Sequence, residues 1–303
     1  MSSFPLQPAG YWKLRTRTLT LGKLPLLMGI VNVTPDSFSD GGHFFDPRVA
    51  VEHGLRLAAE GADILDVGGE STRPGAEPVD AHEELRRILP VVDALCKKTN
   101  VPISIDTSKA MVAQRAADAG AEVINDVTSL KGDPSMISLA VETGCGVCIM
   151  HMRGTPRTMQ NNPIYDDVVA EVLDDLRARR DALPAVGIEH DRIAIDPGIG
   201  FGKTTEHNLQ LLANAWRFHA LGSPVLVGHS RKRFLDGFIS SNAADSTIAG
   251  EEKPKLPLDS ARTAGTIGVG LSLARQGVQI LRVHDVAAMR QALLFFDSTG
   301  GLE

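Results

Sequence analysis

From residue 26 onward, short runs of apolar and β-branched residues alternate with segments of helical length, and the alternation recurs eight times. The runs cover residues 26–33, 63–67, 102–106, 122–127, 146–150, 192–196, 224–227 and 278–283. Most are nearly continuous in apolar residues, as strands buried on both faces of a parallel sheet are. The segments 49–60, 83–98, 109–119 and 168–183 read as helices; in the last, Val168, Val169, Val172, Leu173 and Leu176 form one apolar stripe. Eight β-then-α units leave a closed barrel or a large doubly wound sheet open. The count of eight favours the barrel. So do the polar residues that follow nearly every strand rather than gathering at one switch point. The expected fold is α/β, a (β/α)8 TIM barrel.

Two segments stand outside the repeat. Residues 11–24 carry Thr16, Thr18 and Thr20 on one side of a two-residue period and Arg15, Arg17, Leu19 and Leu21 on the other, so they read as a β-hairpin capping the barrel. Residues 240–257 are polar and read as a mobile surface insertion after strand seven. Length alone, at 303 residues, suggests about two domains, but α/β barrels often run well past 200 residues as one. One domain over 1–303, with the barrel at 26–297, is therefore expected.

A formal net charge of -6 gives no bulk attraction to nucleic acid or anionic lipid, so an anionic ligand needs a local basic pocket. No run approaches the roughly 20 apolar residues of a membrane span, and residues 1–14 lack the pattern of a signal peptide. The three cysteines, Cys96, Cys145 and Cys148, fit a reducing compartment, and a cytoplasmic enzyme is expected.

In such barrels the active site lies at the C-terminal ends of the strands. Those ends carry Asn32; Gly68 to Pro74, including Thr72 and Arg73; Asp106; Asn125; Met150 and His151; Asp196 to Lys203, including Phe201; Gly228, Ser230 and Lys232; and Arg282 and His284. Helix capping explains isolated residues such as Thr107, Ser108 or Asp285. It does not explain Arg282 and His284 within an apolar run, nor Lys232, whose burial without partners would be costly. Together these residues suggest a polar ligand pocket. Arg73, Lys203, Lys232, Arg282 and His284 suit a phosphate or diphosphate; Asp106, Asn125 and Asp196 suit a flat heterocycle with ring N–H groups and an amine. With no Cys/His ligand cluster, hard oxygen ligands such as Asn32 point to Mg²⁺ held mainly by substrate phosphate.

The string from Met28 to Gly42, MGIVNVTPDSFSDGG, and that from Asp66 to Gly75, DVGGESTRPG, resemble the two signatures of the dihydropteroate synthases. Shorter strings around Asp106, Asn125, Met150, Asp196–Lys203, Ser230–Lys232 and Arg282–Asp285 follow in family order, so the resemblance covers roughly 26–297. It implies an enzyme that joins p-aminobenzoate to a pterin diphosphate and releases diphosphate. It implies that Asp106, Asn125, Met150, Asp196, Gly228, Lys232 and Arg282 form the pterin slot, and that Asn32, Arg282 and His284 hold the diphosphate beside Mg²⁺. Phe38, Thr72, Arg73, Pro74, Phe201 and Ser230 would shape the p-aminobenzoate site, with Asp106, Lys232 and Asn32 as the catalytic set. Sulfonamide inhibitors and a homodimer built on the late helices are also implied. His229, where an apolar residue is usual, and the long 240–257 insertion depart from the pattern.

Other signals read as structural. Cys145 and Cys148 have redox or zinc spacing but run into a strand and are expected as buried thiols. The Gly198–Lys203 string is one residue too short for a Walker loop and reads as a flexible loop. Glu83-Glu84 is expected on a solvated face, and Phe295-Phe296 in helix packing. A corrinoid methyltransferase barrel would keep the pterin residues without needing the first loop or the diphosphate cations. A silent pterin-binding paralogue would be free to lose Asp106 or Lys232.

Overall fold

The computed structural model describes residues 6–34, 46–72, 75–235, 247–248, 251–252 and 258–302. Within them every expected strand forms: β3 (Leu26–Asn32), β4 (Ile64–Gly68), β5 (Ile103–Asp106), β6 (Val123–Asp126), β7 (Gly146–Met150), β8 (Ile193–Asp196), β9 (Leu226–Gly228) and β12 (Ile280–Val283). They make one eight-stranded sheet in the order β8-β7-β6-β5-β4-β3-β12-β9. All of its pairings are parallel. A parallel bridge from Ile195 to Val225 joins the two edges and closes the cylinder. This is the (β/α)8 barrel expected from the sequence.

The helices between strands are α1 (Pro47–Ala59), α2 (Ala81–Lys98), α3 (Ala110–Asp118), α4 (Met136–Thr143), α5 (Val168–Ala182), α6 (Thr205–Ala213), α7 (Leu258–Arg275) and α8 (Val286–Ser298). Their starts follow ordinary capping chemistry. Asp80 accepts from the backbone N–H groups of His82 and Glu83 at the head of α2, and Asp285 accepts from Ala288 at the head of α8. None of the described helices is long and apolar enough to cross a membrane.

The two-residue period of the strands sorts their side chains into two cores. Leu27, Val31, Leu65, Val67, Ile103, Ile105, Ile124, Val147, Ile149, Ile193, Ile195, Val227, Leu281 and Val283 pack outward against the helices. Met28, Ile64, Val123, Cys148, Ala194, Leu226 and Ile280 point inward and pack on Trp12, Leu14 and Leu21. Those three come from the N-terminal hairpin, whose strands β1 (Tyr11–Lys13) and β2 (Thr18–Thr20) pair antiparallel. The hairpin sits at the N-terminal end of the barrel: Trp12 donates its indole N–H to the Arg192 carbonyl just before β8, and Thr16 and Arg17 bond Glu122 just before β6. Gly146 lets it approach, since a Cβ there would lie 3.0 Å from Leu14 and 3.2 Å from the Lys13 carbonyl. One end of the cylinder is thus sealed with apolar side chains, and polar ones are left to the other.

Cys145 and Cys148 are buried free thiols, as expected. Two expectations are corrected. Glu84 is fully buried, because α2 turns it toward Lys109, and Phe295 is 70% exposed on α8 rather than packed. Most of the 240–257 insertion lies outside the described residues; two short strands, β10 (Thr247–Ile248) and β11 (Glu251–Glu252), pair antiparallel within it.

Candidate active site

The same period that buries Met28 and Ile64 at the sealed end aims the next inward residues at the open end. Asp66 and Gly68 lie beyond Ile64, Asn125 beyond Val123, Met150 beyond Cys148, Asp196 beyond Ala194, Gly228 beyond Leu226 and Arg282 beyond Ile280. Strand register sets several of them side by side: Asp106 opposite Asn125, Met150 opposite Asp196, and Arg282 opposite Gly228. Gly228 marks how tightly the groups converge, since a Cβ there would lie 3.7 Å from Arg282 Cδ and 3.9 Å from Asp196 Oδ2.

At the centre Arg282 bridges two carboxylates. Its Nε lies 2.6 Å from Asp66 Oδ2 and its Nη2 2.8 Å from Asp106 Oδ2. Asn125 donates its amide to the same Asp66 oxygen at 3.2 Å. Asp66 is fully buried, and Arg282 is its ion-pair partner. Burial works against the arginine's charge, but Asp66 and Asp106 outweigh it and raise its pKa. Burial raises the Asp106 carboxyl, with Arg282 pulling the other way. Asp66 was missed in the sequence. Its signal was an acid in an otherwise apolar strand, two residues before Gly68 and therefore on the inner face.

Asp196 forms the second focus. Burial raises its pKa, opposed by Lys232 and by the Gly198 N–H, which donates to Oδ1 at 2.7 Å. Lys232 is half-buried; burial lowers it to about 8, with Asp196 opposing. Its ammonium donates to the Ile199 carbonyl and lies 4.5 Å from the Phe201 ring centroid. The segment from Pro197 to Lys203 is therefore tied, not loose. Lys203, expected among the diphosphate cations, turns inward: Nζ sits 2.9 Å from His151 Nδ1 and donates to the carbonyls of Phe201 (2.9 Å) and His151 (3.3 Å). Burial drives Lys203 well below the usual lysine range and His151 to about 3, so His151 is neutral and its Nδ1 accepts. Gly198, at φ +69°, is the one residue type that fits, because a Cβ would fall 1.9 Å from the His151 carbonyl.

At the rim, half-buried His284 has Nδ1 3.0 Å from Ser230 Oγ. Asn32 ends β3 beside Gly68. Thr72 is half-buried on the loop after β4. Phe38, Arg73 and Pro74 lie outside the described residues. His229 lies behind this wall, fully buried, with Nε2 3.0 Å from the Thr266 carbonyl of α7 and a pKa lowered by burial to about 4. It is neutral near pH 7 and adds no charge beside Lys232.

Over residues 28–284 the chain matches the family described as pterin binding enzyme. It is 42% identical over 275 residues to the dihydropteroate synthase of Escherichia coli K12, covering 91% of this chain and 92% of that protein. The chain belongs to the dihydropteroate synthase family. The Xanthomonas albilineans dihydropteroate synthase solved with 4-aminobenzoic acid superposes with a TM-score of 0.84 at 44% identity, covering 96% of this chain and 98% of that one. The Yersinia pestis dihydropteroate synthase in a sulfonamide drug complex superposes with a TM-score of 0.85 at 40% identity, covering 96% and 99%. The 42% identity to a dihydropteroate synthase over nine-tenths of both chains favours that family over the corrinoid methyltransferase reading.

The Lys203–His151 contact carries an asymmetry that unfolding can measure. His151→Ala leaves a buried amine short of an acceptor and should cost roughly 2–4 kcal/mol in urea unfolding. Lys203→Met removes the amine along with its need and should cost clearly less; the reverse order would contradict the contact.

Proposed function

We propose that the open end of the barrel binds a pterin diphosphate and p-aminobenzoate together and that the whole chain acts as one pterin-binding domain. The reaction condenses 6-hydroxymethyl-7,8-dihydropterin diphosphate with p-aminobenzoate, giving 7,8-dihydropteroate and diphosphate. The observation that carries the residue assignment is the convergence of Asp66, Asp106, Asn125, Asp196, Lys232 and Arg282 on one inward-facing layer.

In this reading Asp196 accepts two N–H bonds from the aminopyrimidinone edge, as a carboxylate does from a guanidinium. Asn125, Asp106 and Lys232 complete the ring's hydrogen bonds, and Met150 and Gly228 line the slot. Arg282 offers its planar face to the ring while its edge stays on Asp66 and Asp106. Asn32, Arg282 and His284 hold the diphosphate. Phe201 and Ser230 border p-aminobenzoate, with Thr72, Arg73, Pro74 and Phe38 from the two long loops.

The chemistry is a dissociative substitution. The bond from the exocyclic methylene to oxygen breaks and its electron pair leaves with diphosphate. The pterin cation is delocalised over the ring, and the Asp106 carboxylate stabilises its charge. The neutral amine of p-aminobenzoate attacks the methylene, the C–N bond forms, and one amine proton passes to solvent. Asn32 presents a single hard oxygen donor, and no cluster of three His, Cys, Asp or Glu ligands stands among the described residues. That donor set suits Mg²⁺ held mainly by the substrate's own phosphates, where it would supply positive charge to the leaving group.

We also place the enzyme in the cytoplasm, where Cys96, Cys145 and Cys148 stay reduced, as a homodimer through its late helices. Exposed Leu294 and Phe295 on α8 support that pairing. Sulfonamides would compete with p-aminobenzoate.

Diphosphate release should depend on both substrates, and Asp196→Ala should abolish pterin binding in calorimetry by leaving the ring's donors unpaired. Release without p-aminobenzoate, or unchanged pterin affinity, would refute the assignment. Lys232 acts protonated and loses its proton near pH 8 in the free enzyme. So kcat/KM for the pterin substrate should fall as pH rises through about 8. Lys232→Arg, charged at every accessible pH, should lack that limb; a limb surviving unchanged would assign it elsewhere.

A further inference from the structure

The loop that carries Thr72 leaves β4 at Gly68 and ends at Asp80, the cap of α2. One side chain ties both of its feet. Glu70 Oε1 accepts the Val79 N–H at 3.0 Å, nine positions along the chain, while Oε2 receives the ammonium of Lys109. Lys109 stands at the cap position of α3, and its ammonium also lies 2.6 Å from Glu84 Oε2, a carboxylate of α2 with no exposed surface. The first foot is held again from α2, where Arg87 donates to the Gly69 carbonyl at 2.9 Å and is itself fixed by Glu83 at 2.8 Å. Gly69 is needed there, since a Cβ would come within 2.6 Å of Ile88.

From this geometry we infer that Glu70 and Lys109 are positioning residues for p-aminobenzoate: they form a clamp that sets where the loop holds Thr72. The inference rests on the proposed placement of Thr72 in the p-aminobenzoate site. Neither residue has a role in the chemistry above. Burial opposes the charge of Lys109, yet Glu70 and Glu84 together raise its pKa, so its ammonium stays charged at neutral pH. Glu84 is the fixed end, because an unpaired carboxylate there would be too costly for Lys109 to leave. Glu70 is the loop's end of the clamp, partly exposed and bonded across the loop to the Val79 N–H. Tying both feet of the loop restricts where Thr72 can stand. A substrate that contacts Thr72 then carries less of the cost of ordering it.

Three variants assayed by steady-state kinetics, with calorimetry for the pterin substrate, test this. Glu70→Ala should raise KM for p-aminobenzoate on the order of ten-fold, with kcat and pterin affinity changed less than about two-fold. Glu70→Gln keeps one acceptor oxygen but turns its amide NH2 toward the other donor, the Val79 N–H or the Lys109 ammonium. It should therefore recover only part of the loss; full recovery would overturn the role of Lys109. Thr72→Val should raise the same KM if the loop tip touches p-aminobenzoate. A response to Thr72→Val without one to Glu70→Ala would overturn the clamp alone. No response to Thr72→Val would overturn the placement beneath it. Parallel losses of kcat and pterin affinity in Glu70→Ala would mark a general structural defect and also overturn the clamp.

Discussion

A guanidinium inside the barrel, shared between Asp66 and Asp106, is the interaction on which the open end of this structure depends. Arg282 rises from a strand whose other residues are apolar, and Asp66 is sealed from solvent on another. Neither charge would be tolerable there alone. Paired, they place a flat cation and an acid edge on the layer proposed to hold the pterin ring, and Asn125 donates to the same Asp66 oxygen. The apolar plug at the opposite end makes this arrangement effective, because the hairpin's Trp12 and Leu14 fill the lumen beneath it. The polar layer therefore rests on a packed floor.

A second support stands on the other side of the layer. The Asp196–Lys203 segment is folded back so that Gly198 donates to Asp196 and the Ile199 carbonyl receives Lys232. Lys203 is spent on holding that fold against His151. The pocket is thus prepared from two directions before substrate arrives. Such preparation allows an active site to stabilise a transient cation without reorganising at the moment of reaction.

Much of this was legible in the sequence because two periodicities carried it. The eight apolar runs gave the strands almost to the residue, and the polar residue ending each run marked the open end. What failed to show was which charge meets which. Lys203 and Lys232 look alike in sequence, yet one turns into the protein and the other toward Asp196. Glu83 and Glu84 are neighbours, yet the turn of α2 sends one to solvent and the other to Lys109. Asp66 sat inside a strand and looked like a core position, because inward and outward faces differ only once the barrel is closed. Pairings between residues more than a hundred positions apart, such as Arg282 with Asp106, are set by topology, and local pattern carries no trace of them. Phe38, and Arg73 with Pro74, fall outside the described residues.

The dependence of ring recognition on the buried ion pair is open to a double-mutant cycle. Affinity for the pterin diphosphate would be measured by calorimetry in the wild type, Asp66→Asn, Arg282→Gln and the double variant. If Asp66 acts by holding Arg282, the two changes are strongly non-additive, with a coupling of roughly 1.5 kcal/mol or more. Additive losses would mean that the two residues serve the ligand independently and that the ion pair does not organise the site.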